Sequence, residues 1–187
     1  SCYAAIGEGL ATQYNESLGS WIGSLTHFEP WAGNWLKCSE AESFVYQGHG
    51  ALPREDIEVY EVPEEFAFEQ STQQAFYFIE SVENIEIGDW ILCFNGDVVV
   101  GARQWFGDIT DVPAMGDIGY DFTTGYMEAG MTPQFKLLKD DELIDLTGEV
   151  PAWSQNQSFM VKSLMPLPET FSLSAAYPNP FNPVTNI

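Results

Sequence analysis

Residues able to do chemistry concentrate in one stretch, 97–126, where aspartates are interleaved with glycines and aromatic rings. Asp97, Asp108, Asp111, Asp117 and Asp121 offer hard oxygen ligands on a backbone loosened by Gly107, Gly116, Gly119 and Gly125. Ca²⁺ takes about six to eight oxygens from such carboxylates and nearby carbonyls, so calcium is the one cofactor the sequence suggests. The spacing is not that of an EF-hand, and a solvated acidic loop accounts for the same pattern. Trp105, Phe106, Tyr120, Phe122 and Tyr126 share the stretch. Rings of this kind either stack on sugars or turn inward to anchor a long loop, and both readings stand.

Covalent and hydrolytic chemistry finds less support. The chain has no Gly-x-Ser-x-Gly elbow, no phosphate-binding glycine loop and no His-Glu-x-x-His pair. Its two histidines, His27 and His49, stand near turns and read as surface residues rather than bases. With 28 acidic residues, no carboxylate pair is singled out for glycosidase work. The expectation is a protein without a catalytic site.

The net charge of −22, from six Lys+Arg against 28 Asp+Glu, repels a phosphate backbone and an anionic lipid surface alike. Neither nucleic acid nor a membrane surface is expected as a partner. Such a surface suits a salty medium, where self-repulsion is screened within a Debye length of about 8 Å. No run approaches the roughly 18 apolar residues of a spanning helix, so no membrane insertion is expected. Ser1-Cys2-Tyr3 lacks the basic, apolar and small-residue order of a signal peptide, which points to a removed signal or a start inside a longer precursor. Of the three cysteines, Cys93 lies among apolar residues and reads as a small buried side chain. Cys2–Cys38 is the one pairing to consider, a disulfide in an oxidising compartment, the other reading being two reduced, buried thiols.

The elements that must position these residues are strands. With 187 residues, 45% hydrophobic and 14% aromatic, the chain can fill one medium domain or two small ones. Its centre is the stretch 89–103, in which two apolar runs, 90–94 and 98–102, flank Asn95-Gly96. That dipeptide favours a type I′ turn, so a hairpin is predicted. Both runs are nearly continuous in apolar residues, which predicts cover on both faces. Residues 1–50 read as a small aromatic-rich β unit with strands over 21–25, 34–38 and 43–46, and an irregular or short helical segment near Gly7-Glu8-Gly9-Leu10-Ala11. A unit of this size must lean on a neighbour, a disulfide or further strands. Residues 51–73 read as an acidic, Pro-punctuated connector with a candidate edge strand over 57–62. Residues 74–166 carry strands over 75–79, 135–138, 143–146 and 158–164 besides the hairpin, with a long loop over 104–133. Short strands with Gly/Pro turns predict a β-sandwich of Greek-key or jelly-roll type.

Two blocks resemble modules of large secreted proteins of Bacteroidetes-related marine bacteria. One is Gly7-Glu8-Gly9 with Gly19–Leu25 and Gly33-Asn34-Trp35-Leu36-Lys37, similar to the closing half of a recurring module whose opening strands would precede Ser1. The other runs from Gln74-Ala75-Phe76-Tyr77-Phe78 through Gly88-Asp89-Trp90-Ile91, Phe94-Asn95-Gly96-Asp97 and Val112-Pro113-Ala114-Met115-Gly116-Asp117 to Pro133-Gln134-Phe135-Lys136. It resembles a β-rich accessory module of the same proteins, which implies binding or spacing more than catalysis.

The tail, 167–187, contains Tyr177-Pro178-Asn179-Pro180-Phe181-Asn182-Pro183, whose prolines exclude helix and favour an extended chain. It closely resembles the opening of the C-terminal sorting domain of type IX secretion substrates, though that domain continues for several more strands. The resemblance implies the type IX machinery as a partner, export across the outer membrane, and a secreted or cell-surface location. These readings predict a non-catalytic structural or adhesive module, with self-association through the tail by strand addition as one form of it. A carbohydrate-binding accessory module facing a polysaccharide is the alternative, and a hydrolase the third.

Overall fold

The computed structural model describes residues 2–29, 32–41, 43 and 62–167. Within them the chain is built from strands and two short 3-10 turns. The first four strands are β1 (Cys2–Ile6), β2 (Ala11–Asn15), β3 (Ser20–Ile22) and β4 (Trp35–Cys38), in an antiparallel sheet ordered β3-β2-β1-β4. There follow β5 (Gln74–Ile79), β6 (Trp90–Asn95), β7 (Val98–Gln104), β8 (Thr110–Met115), β9 (Gln134–Lys139), β10 (Glu142–Thr147), β11 (Ser158–Val161) and β12 (Met165–Pro166). They form a five-stranded sheet, β12-β10-β9-β6-β7, and a three-stranded sheet, β11-β5-β8, in which β11 runs parallel to β5. The fold is all-β, and the two larger-module sheets make a sandwich.

The three-stranded sheet is the middle layer. Because side chains alternate along a strand, β5 sends Ala75, Tyr77 and Ile79 into a core with Ile91, Cys93, Val100 and Phe135 of the five-stranded sheet. Phe76 and Phe78 point the other way and pack with Ile6, Ala11 and Ile22 of the first sheet. Every residue of β5 is buried as a result, which explains why its sequence, Gln-Ala-Phe-Tyr-Phe-Ile, does not alternate. The first unit therefore leans on its neighbour. Gln74 fastens the seam, donating from Nε2 to the Gly7 carbonyl at 2.7 Å and accepting the Gly9 N–H at 3.3 Å. Cys2 and Cys38, opposite one another on β1 and β4, form a disulfide.

The central hairpin forms where expected and is covered on both faces. Ile91 and Cys93 face the sandwich core, while Leu92, Phe94 and Ala102 pack beneath Val62, Phe66 and Phe68. Its turn differs from the prediction by one residue. Asn95 pairs with Val98, leaving Gly96 and Asp97 as the two central positions. Of these only Gly96 has positive φ, at 60°, which is the pattern of a type II′ rather than a type I′ turn. The double positive-φ turn occurs instead at Asp140 (51°) and Asp141 (63°), between β9 and β10.

Two expectations need correction. The stretch 104–133 is not one loop, because its first half contains the fully buried strand β8. Pro113 cannot donate to a ladder, but β8 is an edge of its sheet and tolerates that loss. The second correction lies at the start of the chain, where β1 and β2 are strands, Gly7–Leu10 is their connection and Ala11 already opens β2. The strands expected over 43–46 and 57–62, apart from their end residues 43 and 62, His49, and the tail with Tyr177, Pro178, Asn179, Pro180, Phe181, Asn182 and Pro183 lie outside the described residues.

Candidate binding site

The five aspartates and five aromatics are separated by the alternation of β8 and by the turn that follows it. Asp111 opposes Phe78 on β5, so its side chain is directed toward the first sheet and away from the loop. There it is fully buried and accepts from the Ser24 N–H at 2.7 Å, the Ser24 hydroxyl at 2.6 Å and the Ala11 N–H at 3.2 Å. Arg103 of β7, buried as well, lies 3.6 Å from the carboxylate and donates through Nε to the Asp111 carbonyl at 2.9 Å and through Nη2 to the Gly9 carbonyl at 2.5 Å. Burial pushes the Asp111 carboxyl up and the Arg103 guanidinium down, each opposed by the charge of the other. Asp111 is thus a structural tie between sheets.

The remaining aspartates do not join it. Asp97 is exposed on the hairpin turn, and Asp108 is exposed and accepts the Ile109 N–H. Asp117 caps its own turn, accepting the Gly119 N–H at 2.7 Å, and Asp121 is exposed at the start of the 3-10 turn Asp121–Thr123. Among the described residues no three His, Cys, Asp or Glu side chains come together as a metal site.

The aromatics divide three to two. Trp105 and Tyr126 turn into the sandwich core and Phe106 is half-buried. Tyr126 reaches Glu69 of the preceding segment, its hydroxyl accepting the Glu69 N–H at 2.8 Å. Tyr120 and Phe122 instead face solvent at 63% and 52% exposure, with parallel rings 8° apart in plane and 5.6 Å between centroids. They project from a tip that is fixed on three sides. Gly116 and Met127 bridge its base. Thr123, fully buried, places its hydroxyl 2.9 Å from the Asp117 carboxylate and 3.0 Å from the Tyr120 carbonyl. Asn95 of the hairpin donates to the Gly125 carbonyl at 2.9 Å.

No protein-family model, no curated protein and no solved structure matches this chain.

An open groove of about 810 Å³ runs beside β10, β11 and β12, lined by Thr147, Val150, Met160, Lys162 and Met165 among others. Its titratable lining residues are Glu149 and Lys162. Near the first sheet, His27 lies 2.6 Å from Glu29 and 3.1 Å from the Thr26 hydroxyl on an exposed turn. Sequence reasoning missed Arg103 and Asn95. Arg103 carried a signal: it is one of six basic residues in the chain and ends the apolar run Val98–Ala102, a position that demands a buried partner. Asn95 was read only as a turn former.

Proposed function

We propose that this chain is a non-catalytic, extracellular adhesive module of an exported surface protein, and that it meets its target through the tip bearing Tyr120 and Phe122. The observation that carries this reading is the exposed, parallel pair of rings on a braced turn. Large apolar side chains held in water on a rigid element cost solvation energy and are favoured where a partner covers them. The buried charged pair supports the same reading from the other side, since Arg103 and Asp111 are consumed in holding layers together. The likeness of residues 177–183 to a type IX sorting segment supports export, and the Cys2–Cys38 disulfide suits an oxidising compartment.

Adhesion of the purified chain, fluorescently labelled, to bacterial surfaces and extracellular matrix material tests the reading. Wild type is expected to be retained in the presence of about 0.5 M salt, because an acidic protein meeting its target through rings gains little from screened charge. Failure of wild type to adhere to any such surface refutes the proposal.

Strand addition between copies is the second reading, favoured by the place of β3 and β4 as the outermost strands of the first sheet among the described residues. The solution mass with and without residues 167–187 decides it. An assembly lost on removing the tail supports self-association, and a monomer in both forms excludes it.

A further inference from the structure

The tip has a chemistry that narrows its partner, on the premise that the chain is a binding module. Tyr120 and Phe122 lie within 8° of parallel and stack on one another, so the pair offers an offset, exposed ring surface rather than a pocket. An aromatic face presents flat apolar area, and the C–H face of a pyranose ring is its natural complement, with hydroxyls at the sugar's rim left free to meet polar groups beside it. Such groups are present. Asp121 stands between the two rings in sequence and is exposed, and the Tyr120 ring carries its own hydroxyl.

Charge selects among sugars. From Arg103 to Lys136 the chain contains no intervening basic residue, whereas Asp108, Asp117, Asp121 and Glu128 fall inside that interval beside the buried Asp111. A uronic-acid or sulfated polymer would bring its carboxylates or sulfates against this segment, which carries no basic residue of its own, in a chain of net charge −22. An uncharged sugar meets no such penalty, and the carboxylate of Asp121 accepts its hydroxyls. Nucleic-acid bases also stack on rings, but their phosphates meet the same repulsion.

Rigidity completes the argument. The tip is held by the Gly116–Met127 bridge, by Thr123 and by Asn95 from the neighbouring hairpin. Little ordering remains to be done when a ligand arrives, so a small contact area suffices for measurable binding. Because the platform is open at the surface, it fits an internal stretch of a long chain as readily as an end, and several copies on one surface would add their weak contacts through avidity.

We infer that Tyr120 and Phe122 form a binding platform for uncharged pyranose residues of an extracellular polysaccharide. The test is isothermal titration of the purified chain with cellopentaose, laminarihexaose, mannohexaose and chitopentaose, beside oligogalacturonate and sulfated dextran as anionic probes. Binding to at least one neutral oligosaccharide is expected, with no binding to either anionic probe. Tyr120→Ala and Phe122→Ala should each weaken it by about tenfold, while Phe122→Tyr, which keeps the face, should preserve it. Because both side chains are exposed, the variants should keep the wild-type thermal midpoint, which circular dichroism checks. Absence of binding to every neutral probe overturns the inference, as does binding that survives the Tyr120→Ala/Phe122→Ala double variant. Adhesion of the wild type to cells that is lost in the double variant but is accompanied by no binding to any neutral probe would leave the adhesive reading intact and refute the sugar platform alone.

Discussion

Replacing Asp111 by alanine should detach the first sheet from the rest of the molecule more effectively than any surface change. The carboxylate receives two backbone N–H groups, from Ser24 and Ala11, and the Ser24 hydroxyl, and it faces the Arg103 guanidinium at 3.6 Å. Both partners are almost completely buried, at 7% and 0% side-chain exposure. Removing one member of a buried pair costs about 3–5 kcal/mol, because a charge is left without compensation. Here the Ser24 and Ala11 donors are orphaned as well, at about 1–3 kcal/mol for each group left without water. Asp111→Ala should therefore lower the unfolding free energy by at least about 3 kcal/mol in urea titration. Hydrogen exchange should show the loss of protection concentrated at Ala11 and Ser24. Adding Arg103→Met to this variant should cost less than the sum of the two single changes, by about 1–3 kcal/mol, since the stranded cation is then gone. The pH dependence has a definite sign. Burial raises the carboxyl's folded pKa above its unfolded value, so this group's contribution is full below the unfolded value and is lost as pH rises through the folded one. The stability gap between wild type and Asp111→Ala should then be wider at pH 4 than at pH 7. A loss below about 1 kcal/mol for Asp111→Ala, or strict additivity with Arg103→Met, would refute the account of this pair as a buried tie.

Other consequences concern the scaffold. The Cys2–Cys38 disulfide closes a loop with a sequence separation of 36, and its removal as Cys2→Ser/Cys38→Ser should cost about 4 kcal/mol by the loop-entropy relation, read as a fall in urea midpoint of the first unit. Gly101→Ala should fail to accumulate as folded protein or lose several kcal/mol, because a Cβ there would lie 1.7 Å from the Pro113 carbonyl oxygen where β7 crosses β8; wild-type thermal stability in this variant would mean that the two strands are not in backbone contact. Cys93 is free, fully buried and flanked by core residues, and burial pushes its thiol well up, so a thiol reagent at pH 8 should label it only in denaturant.

Local patterning determined much of this protein. The hairpin over 89–103 was legible because two β-branched and aromatic runs flank a turn dipeptide, and its continuous apolar runs announced cover on both faces. The strands β5, β9, β10 and β11 were legible for the same reason. β8 was not. Its Pro113 and Asp111 both contradict the pattern of a strand, and only the tertiary structure supplies an edge position for the proline and a guanidinium for the aspartate. β2 was missed because Ala-Thr-Gln-Tyr-Asn has weak propensity and is held as a strand by its partners β1 and β3.

The candidate site divides along the same line. The sequence by itself placed aspartates and aromatics in one stretch and determined the net charge of −22, since composition and proximity along the chain are local facts. Which of those side chains face water was not a local fact. The period-two alternation of β8 sends Asp111 toward one neighbouring sheet and Val112 toward the other. Packing draws Trp105 and Tyr126 into the core, and the turn Asp121–Thr123, pinned by the buried Thr123, leaves Tyr120 and Phe122 parallel and exposed. Exposure is set by what lies opposite a residue, and the opposing residues come from segments distant in sequence, so only the assembled layers could decide it.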